Sequence, residues 1–198
     1  MLYKVTIFIF VATLLPAVFG ANLNLKTGDL LLQPLGCWSC FLIEEQEATE
    51  YSHMGVYLNL DGQELVLEAY GEVKLTPLNN FLARTEGDEK VLVRRFNERK
   101  FSYEKVVDKS LSFEGLSYDD QFLWDNVNES GEKLYCSELV YKLFYEFYGE
   151  LLPLKPMRYD KNRPHWFKFF KGNIPDGKLG NSPGDFERSE LFKTIGEL

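Results

Sequence analysis

The chain has 198 residues, 45% of them apolar and 26% charged, which suits one globular domain with a real core and excludes disordered and collagen-like chains. With 30 acidic residues against 22 basic ones the formal charge is −8, and no Lys/Arg run stands out, so a nucleic-acid partner is not expected. Only two histidines, His53 and His165, accompany three cysteines, so no structural zinc site, other metal or cofactor is read from the sequence.

Residues 1–20 read as a secretory signal peptide. Lys4 precedes the apolar run Val5 to Leu15, Pro16 breaks it, and Val18 and Gly20 are the small residues before a cut. The run is shorter than the roughly 20 residues of a spanning helix, and Asn22 and Asn24 follow it, so no transmembrane anchor is expected after cleavage. The mature protein, 21–198, is then expected outside the cytoplasm, periplasmic or extracellular, where disulfides form, and as a monomer.

In chain order, the pattern predicts a strand at Asp29 to Gln33 after the Thr27-Gly28 turn, then a helix around Phe41 to Thr49. Strands follow at His53 to Leu60 and Glu64 to Tyr70, with Asp61-Gly62 as a hairpin turn between them. Next come a helix entered at Pro77 with Thr76 as N-cap, a strand at Lys90 to Phe96, and a helix around Tyr103 to Phe113. The helix Cys136 to Tyr148, ended by Gly149, is the last long element, and a loop-rich extension is expected from about residue 153. The sum is an α+β fold in which an antiparallel sheet packs against helices.

A two-residue turn at Asp61-Gly62 fixes the hairpin register: Leu60 faces Gln63, Leu58 faces Leu65, Val56 faces Leu67 and Met54 faces Ala69. One face is therefore wholly apolar. The other carries His53, Gly55 and Tyr57 opposite Val66, Glu68 and Tyr70, with His53 diagonal to Glu68 at about 7–8 Å between backbones, a span that long side chains bridge. His53 and Glu68 are thus expected to hydrogen-bond.

Cys136 opens an amphipathic helix whose apolar positions include Leu139, Val140, Leu143 and Phe144. The unsatisfied N–H groups at a helix start favour thiolate over thiol and are donors for an oxyanion, the Cys136 N–H among them. A second oxyanion donor is not assigned. Taken singly, a cysteine here reads as a small buried apolar residue, and His53 and Glu68 as ordinary strand residues. Together they are the thiol, imidazole and carboxylate that nucleophilic catalysis needs. His165, among Pro164, Trp166 and Phe167, reads as packing, and Asp119 with Asp120 is too sparse a set for a cation site.

Ser52-His53-Met54-Gly55-Val56-Tyr57, Glu68-Ala69, Gly115, Tyr118-Asp119 and Tyr135-Cys136-Ser137-Glu138-Leu139-Val140-Tyr141 together resemble the YiiX/YaeF-like permuted papain-fold amidases, which group with the permuted NlpC-type cysteine hydrolases. Gly28-Asp29 and Ser182-Pro183-Gly184-Asp185 extend the resemblance over almost the whole mature chain. It implies a circularly permuted papain-like fold with the histidine strand ahead of the cysteine helix, Cys136 as nucleophile, His53 as base and Glu68 as third residue. Cys37-Trp38-Ser39-Cys40 departs from the family pattern. In an exported protein a local disulfide between Cys37 and Cys40 is expected, a bond from Cys136 to either being the alternative.

The expected activity is hydrolysis of an amide or ester bond in a peptide, a peptidoglycan fragment or a lipid-like substrate. A lipid-acyl hydrolase or transferase of the same fold, a catalytically inactive binding module, and a thiol–disulfide protein working through Cys37 and Cys40 are the competing expectations.

Overall fold

The computed structural model describes residues 23–198; the signal peptide expected at 1–20 lies outside them. In chain order the elements are β1 (Leu30–Gln33), α1 (Trp38–Glu47), β2 (His53–Leu60), β3 (Gln63–Tyr70), β4 (Glu72–Pro77), α2 (Leu78–Leu82), β5 (Leu92–Phe96) and α3 (Tyr103–Phe113). They continue with β6 (Ser117–Tyr118), β7 (Val127–Asn128), β8 (Gly131–Leu134), α4 (Cys136–Tyr148), β9 (Lys155–Pro156), α5 (Arg163–Phe169), β10 (Leu179–Gly180), α6 (Pro183–Arg188) and β11 (Phe192–Glu197). A nine-stranded sheet runs β11-β5-β1-β2-β3-β4-β6-β8-β7, antiparallel except where β6 meets β8. A two-stranded ribbon pairs β9 with β10. Among the described residues no helix is long and apolar enough to cross a membrane.

The β2–β3 hairpin has the register its turn dictates, with Leu60 opposite Gln63, Leu58 opposite Leu65 and Val56 opposite Leu67. Asp61 (φ 51°) and Gly62 (φ 90°) both take the left-handed conformation that the tight two-residue turn requires, and the Gly62 N–H donates to Asn59 Oδ1 at 2.9 Å. The apolar face of this hairpin (Met54, Val56, Leu58, Leu67, Ala69) is wholly buried against Leu139, Val140, Leu143 and Phe144 of α4. Each Met, Val, Leu or Phe side chain so removed from water contributes about 1.5–3 kcal/mol. A smaller cluster on the other face joins Leu31, Tyr57, Val66, Phe81 and Val93.

Three expectations are corrected. Thr76 does not cap a helix and Pro77 is not its first residue: both lie in β4, and α2 starts only at Leu78, with no side-chain cap. Gly71 (φ 76°) turns the chain so tightly that the whole of β4 pairs with β3, from Tyr70 opposite Glu72 to Leu65 opposite Pro77, and the strand outlasts the local helix signal. The first helix runs from Trp38 to Glu47 rather than Phe41 to Thr49, since Cys37 takes the N-cap position and Ala48 ends it in the left-handed conformation. From about residue 153, where loops were expected, the chain still forms α5, α6 and β11, and β11 pairs with β5 in the main sheet.

Candidate active site

His53 is the first residue of β2, held between Gln33 of β1 and the β3 strand. Its ring Nε2 and Glu68 Oε2 are 2.7 Å apart, both side chains buried. Gly55 pairs with Glu68 and sits between His53 and Tyr57 on the same face. A Cβ at Gly55 would lie 2.5 Å from Val66 Cγ1, 2.8 Å from the Leu67 carbonyl oxygen and 3.4 Å from Glu68 Cβ. Only a residue without one fits at this point of the β2–β3 pairing, beside the strand that carries Glu68. Gly55→Ala is accordingly expected to cost about 1–3 kcal/mol of stability from overpacking. It should also slow turnover more than an equally destabilising substitution in α3, as thermal unfolding and steady-state kinetics on the two variants would show.

Glu68 is fully buried and engaged on both oxygens. Thr76 Oγ1 donates to Oε1 at 2.6 Å, and Arg84 Nη2 donates to Oε1 and Oε2 at 2.7 and 2.6 Å. Burial works to raise the carboxyl pKa, but the hydrogen bond and charge of His53, with Arg84 and Thr76 behind them, outweigh it and bring it down to about 2. The Arg84 guanidinium lies 4.4 Å from the centre of the Tyr70 ring, and the Tyr70 and Phe81 rings flank His53 at 5.8 and 5.9 Å. Neither Thr76 nor Arg84 was anticipated. Thr76 was within reach of hairpin arithmetic applied a second time around Gly71, which sets Thr76 opposite Val66 and therefore diagonal to Glu68. Arg84 arrives from the loop after α2, and no sequence pattern marks it.

Cys136 begins α4, which packs across β2 and β3, so the thiol is delivered to the end of the sheet where His53 stands. Tyr135, the N-cap, makes no side-chain capping bond, so no cap competes for the N–H groups of the first turn. Burial pulls the His53 pKa down, but hydrogen bonding and charge from Cys136 and Glu68 more than reverse this and lift it to about 9. With Nε2 engaged by Glu68, Nδ1 is the ring nitrogen left for the thiol. The geometry thus joins His53, Glu68 and Cys136 in one buried constellation. Cys37 and Cys40 are bonded to each other, and Cys136 is the free cysteine.

His53 and Cys136 open into a cleft of about 430 Å³ lined also by Tyr118, Ser137, Trp166 and Asn181, and by the Cys37–Cys40 segment. The remaining residues singled out from sequence have structural work. Asp29 accepts a bidentate pair from Arg95 at 2.6 Å each. Asp119 is buried and organises its loop, accepting from the Gln121 and Leu123 N–H groups and from Asn126. Ser182 and Asp185 form the capping box of α6, and Ser182 Oγ also donates to Glu47 at 2.8 Å, tying α6 to α1. His165 packs against Trp38 at 5.8 Å. Asp125, Glu132 and Glu138 cluster closely enough to share a cation, and Lys142 Nζ already sits among them, 2.8 Å from both Asp125 and Glu138. Burial raises the Glu138 carboxyl to about 7 against the pull of Lys142.

A family model described as permuted papain-like amidase enzyme, YaeF/YiiX, C92 family, matches residues 24–195. The uncharacterized protein YiiX of Escherichia coli (strain K12) is 33% identical over 127 residues, 63% of this chain. The match spans 59% of that relative's length. A crystal structure described as that of metalloprotein yiiX from Escherichia coli O157:H7 superposes with a TM-score of 0.77, covering 87% of this chain and 97% of that one at 24% identity, a likeness of fold.

Proposed function

The chain belongs to the permuted papain-like amidase family YaeF/YiiX, C92, and from that premise we propose that it is an exported cysteine amidase acting through Cys136, His53 and Glu68. The observation that carries this reading is the buried 2.7 Å bond between His53 and Glu68, with a free cysteine at a helix start lining the same cleft as His53. Cys136 thiolate attacks the amide carbonyl carbon, and the Cys136 N–H is a donor to the developing oxyanion. The imidazolium of His53 gives its proton to the leaving amine as the C–N bond breaks, leaving a thioester. Neutral His53 then takes a proton from water, whose oxygen attacks the thioester, and the thiolate departs beside the imidazolium so formed, releasing a carboxylic acid. Glu68 holds Nε2 and thereby turns Nδ1 toward the sulfur, while Thr76 and Arg84 hold Glu68.

Export rests on the leader read at residues 1–20, which sets the mature chain at 21–198 in the periplasm or outside the cell; a Cys37–Cys40 disulfide suits such an oxidising compartment. The relative from strain O157:H7 is described as a metalloprotein. In this chain Lys142 already supplies positive charge to Asp125, Glu132 and Glu138, which does not suit that cluster to a divalent ion, and no step is assigned to a metal.

Site-resolved alkylation tests the proposal. Iodoacetamide is expected to label Cys136 in the native protein, with a rate that falls at least tenfold in His53→Ala and is unchanged in the Cys37→Ser/Cys40→Ser double variant. Labelling indifferent to His53 would remove the nucleophile from the scheme.

A further inference from the structure

The formal charge of −8 is not spread evenly: residues 158–171 carry five basic residues, Arg158, Lys161, Arg163, Lys168 and Lys171, against the single acidic Asp160. This stretch contains α5, which packs Trp166 and Phe170 inward and leaves the basic residues at the surface. Arg158 and Arg163 are taken up by Asp160 and Asp176, whereas among the described residues Lys161, Lys168 and Lys171 form no ion pair with a carboxylate. Glu45 of α1 accepts from Asn162 beside Lys161 and offsets that charge, so the local excess rests on Lys168 and Lys171.

Exposed aromatic side chains share this face. Trp38 and Phe41 stand one turn apart on α1, 47% and 54% exposed, and Phe167 of α5 is 59% exposed. None of the three belongs to a core cluster. The two helices meet here, for the Trp38 ring lies 5.8 Å from that of His165 and has Lys168 Nζ 5.6 Å from its centre. Lys171 follows in the turn that closes α5, where the Gly172 N–H donates to the Phe167 carbonyl at 2.8 Å. Other side chains of the same helices, Cys40 and Ile43 of α1 and Trp166 and Phe169 of α5, line the cleft. The outer face is therefore distinct from the site of Cys136.

Rings and lysines together decide what such a face fits. A second copy related by two-fold symmetry would bring lysines against lysines. A soluble acidic chain would satisfy the lysines and leave the rings in water. The surface of an anionic bilayer meets both needs, since its phosphates attract lysines and its interfacial zone takes up Trp and Phe side chains. Among the described residues no helix can span a membrane, so such a contact is peripheral.

We propose that the outer face of α1 and α5 docks on an anionic phospholipid bilayer, with Trp38, Phe41 and Phe167 seated in the interface and Lys168 and Lys171 on the lipid phosphates. The inference concerns where the protein sits and does not rest on the chemistry assigned to Cys136.

The test is cosedimentation of the mature protein with vesicles. An equimolar mixture of phosphatidylglycerol and phosphatidylcholine is expected to bind it about tenfold or more tightly than phosphatidylcholine alone, by a margin that shrinks as salt is raised. Lys168→Glu/Lys171→Glu and, separately, Phe41→Ser/Phe167→Ser should each weaken binding to the mixed vesicles by about tenfold or more. Lys100→Glu/Lys105→Glu makes the same change of charge at the start of α3 and should leave binding within about twofold of wild type. All six side chains are exposed, so the variants should melt close to the wild type. Equal binding to the two kinds of vesicle, or a loss in Lys100→Glu/Lys105→Glu as large as in the α5 pair, overturns the proposal. Binding that needs the lysines but survives loss of both phenylalanines overturns it too, and makes the face a site for acidic polymers.

Discussion

Alanine in place of Cys136 is expected to lower kcat/KM for amide hydrolysis by about 10³–10⁴-fold while the protein still folds. The size follows from losing the covalent route altogether: what remains is binding and oxyanion stabilisation of direct water attack. The fold tolerates the change because the deletion is one sulfur atom at a site 7% exposed, with Leu139, Val140 and Phe144 still closing the core around it. Its stability cost is about 1–2 kcal/mol. Steady-state kinetics beside a thermal melt separates the two effects. Turnover within tenfold of wild type in a folded Cys136→Ala protein would move the chemistry to another residue.

Glu68→Gln has the second largest expected effect, and its signature is a displaced pH profile. The carboxylate is one of the two groups that lift His53 to about 9 against burial, so a neutral amide in its place lets the imidazolium release its proton at lower pH. Because kcat/KM reports the free enzyme, its alkaline limb, near pH 9 in the wild type, is expected to move down, with the maximum reduced about 10²-fold. Stability changes with it. A raised His53 contributes stability that is fully present below its unfolded pKa of about 6.5 and disappears as pH rises through about 9. A depressed Glu68 contributes stability present above its unfolded value of about 4.5 and lost as pH falls toward 2. Glu68→Gln removes the Glu68 contribution and its share of the His53 one, while Cys136 still raises His53, and it leaves Arg84 without its carboxylate, so it should be about 2–4 kcal/mol less stable than wild type at pH 6. The difference should narrow by pH 9.5. A pH–rate profile together with melts at those two pH values checks the shift and its sign.

Much of this site was legible because it hangs on two local rules. Asp61-Gly62 forces a two-residue turn, the turn forces parity, and parity puts His53 and Glu68 on one face without reference to anything distant in the chain. The start of α4 was equally readable, since its apolar spacing and Gly149 bracket the helix that carries Cys136. What stayed hidden depends on long-range placement. Thr76-Pro77 carries a genuine helix-start signal, and tertiary pairing with β3 overrode it. The two-residue strands β6 and β7 are too short for any alternation to show. Arg84 and Asn181 reach the site from loops or from the ends of very short strands, where side-chain type says nothing about destination.

The position of β11 at the edge of the sheet bears on how the molecule assembles. His53 and Glu68 are joined by a meander of three strands, β2 to β4, whose pairings are all local and close early with little loop entropy. In the ladder that covers β5, Phe96 meets Phe192, 96 positions further along the chain. A closure of that separation is expected to come late, so the folding rate should be set by a step remote from His53 and Glu68. A chain interrupted before Phe192 would carry the half-site of His53 and Glu68 in near-native form yet expose β5 as an open edge, the kind of strand that pairs with other copies and aggregates.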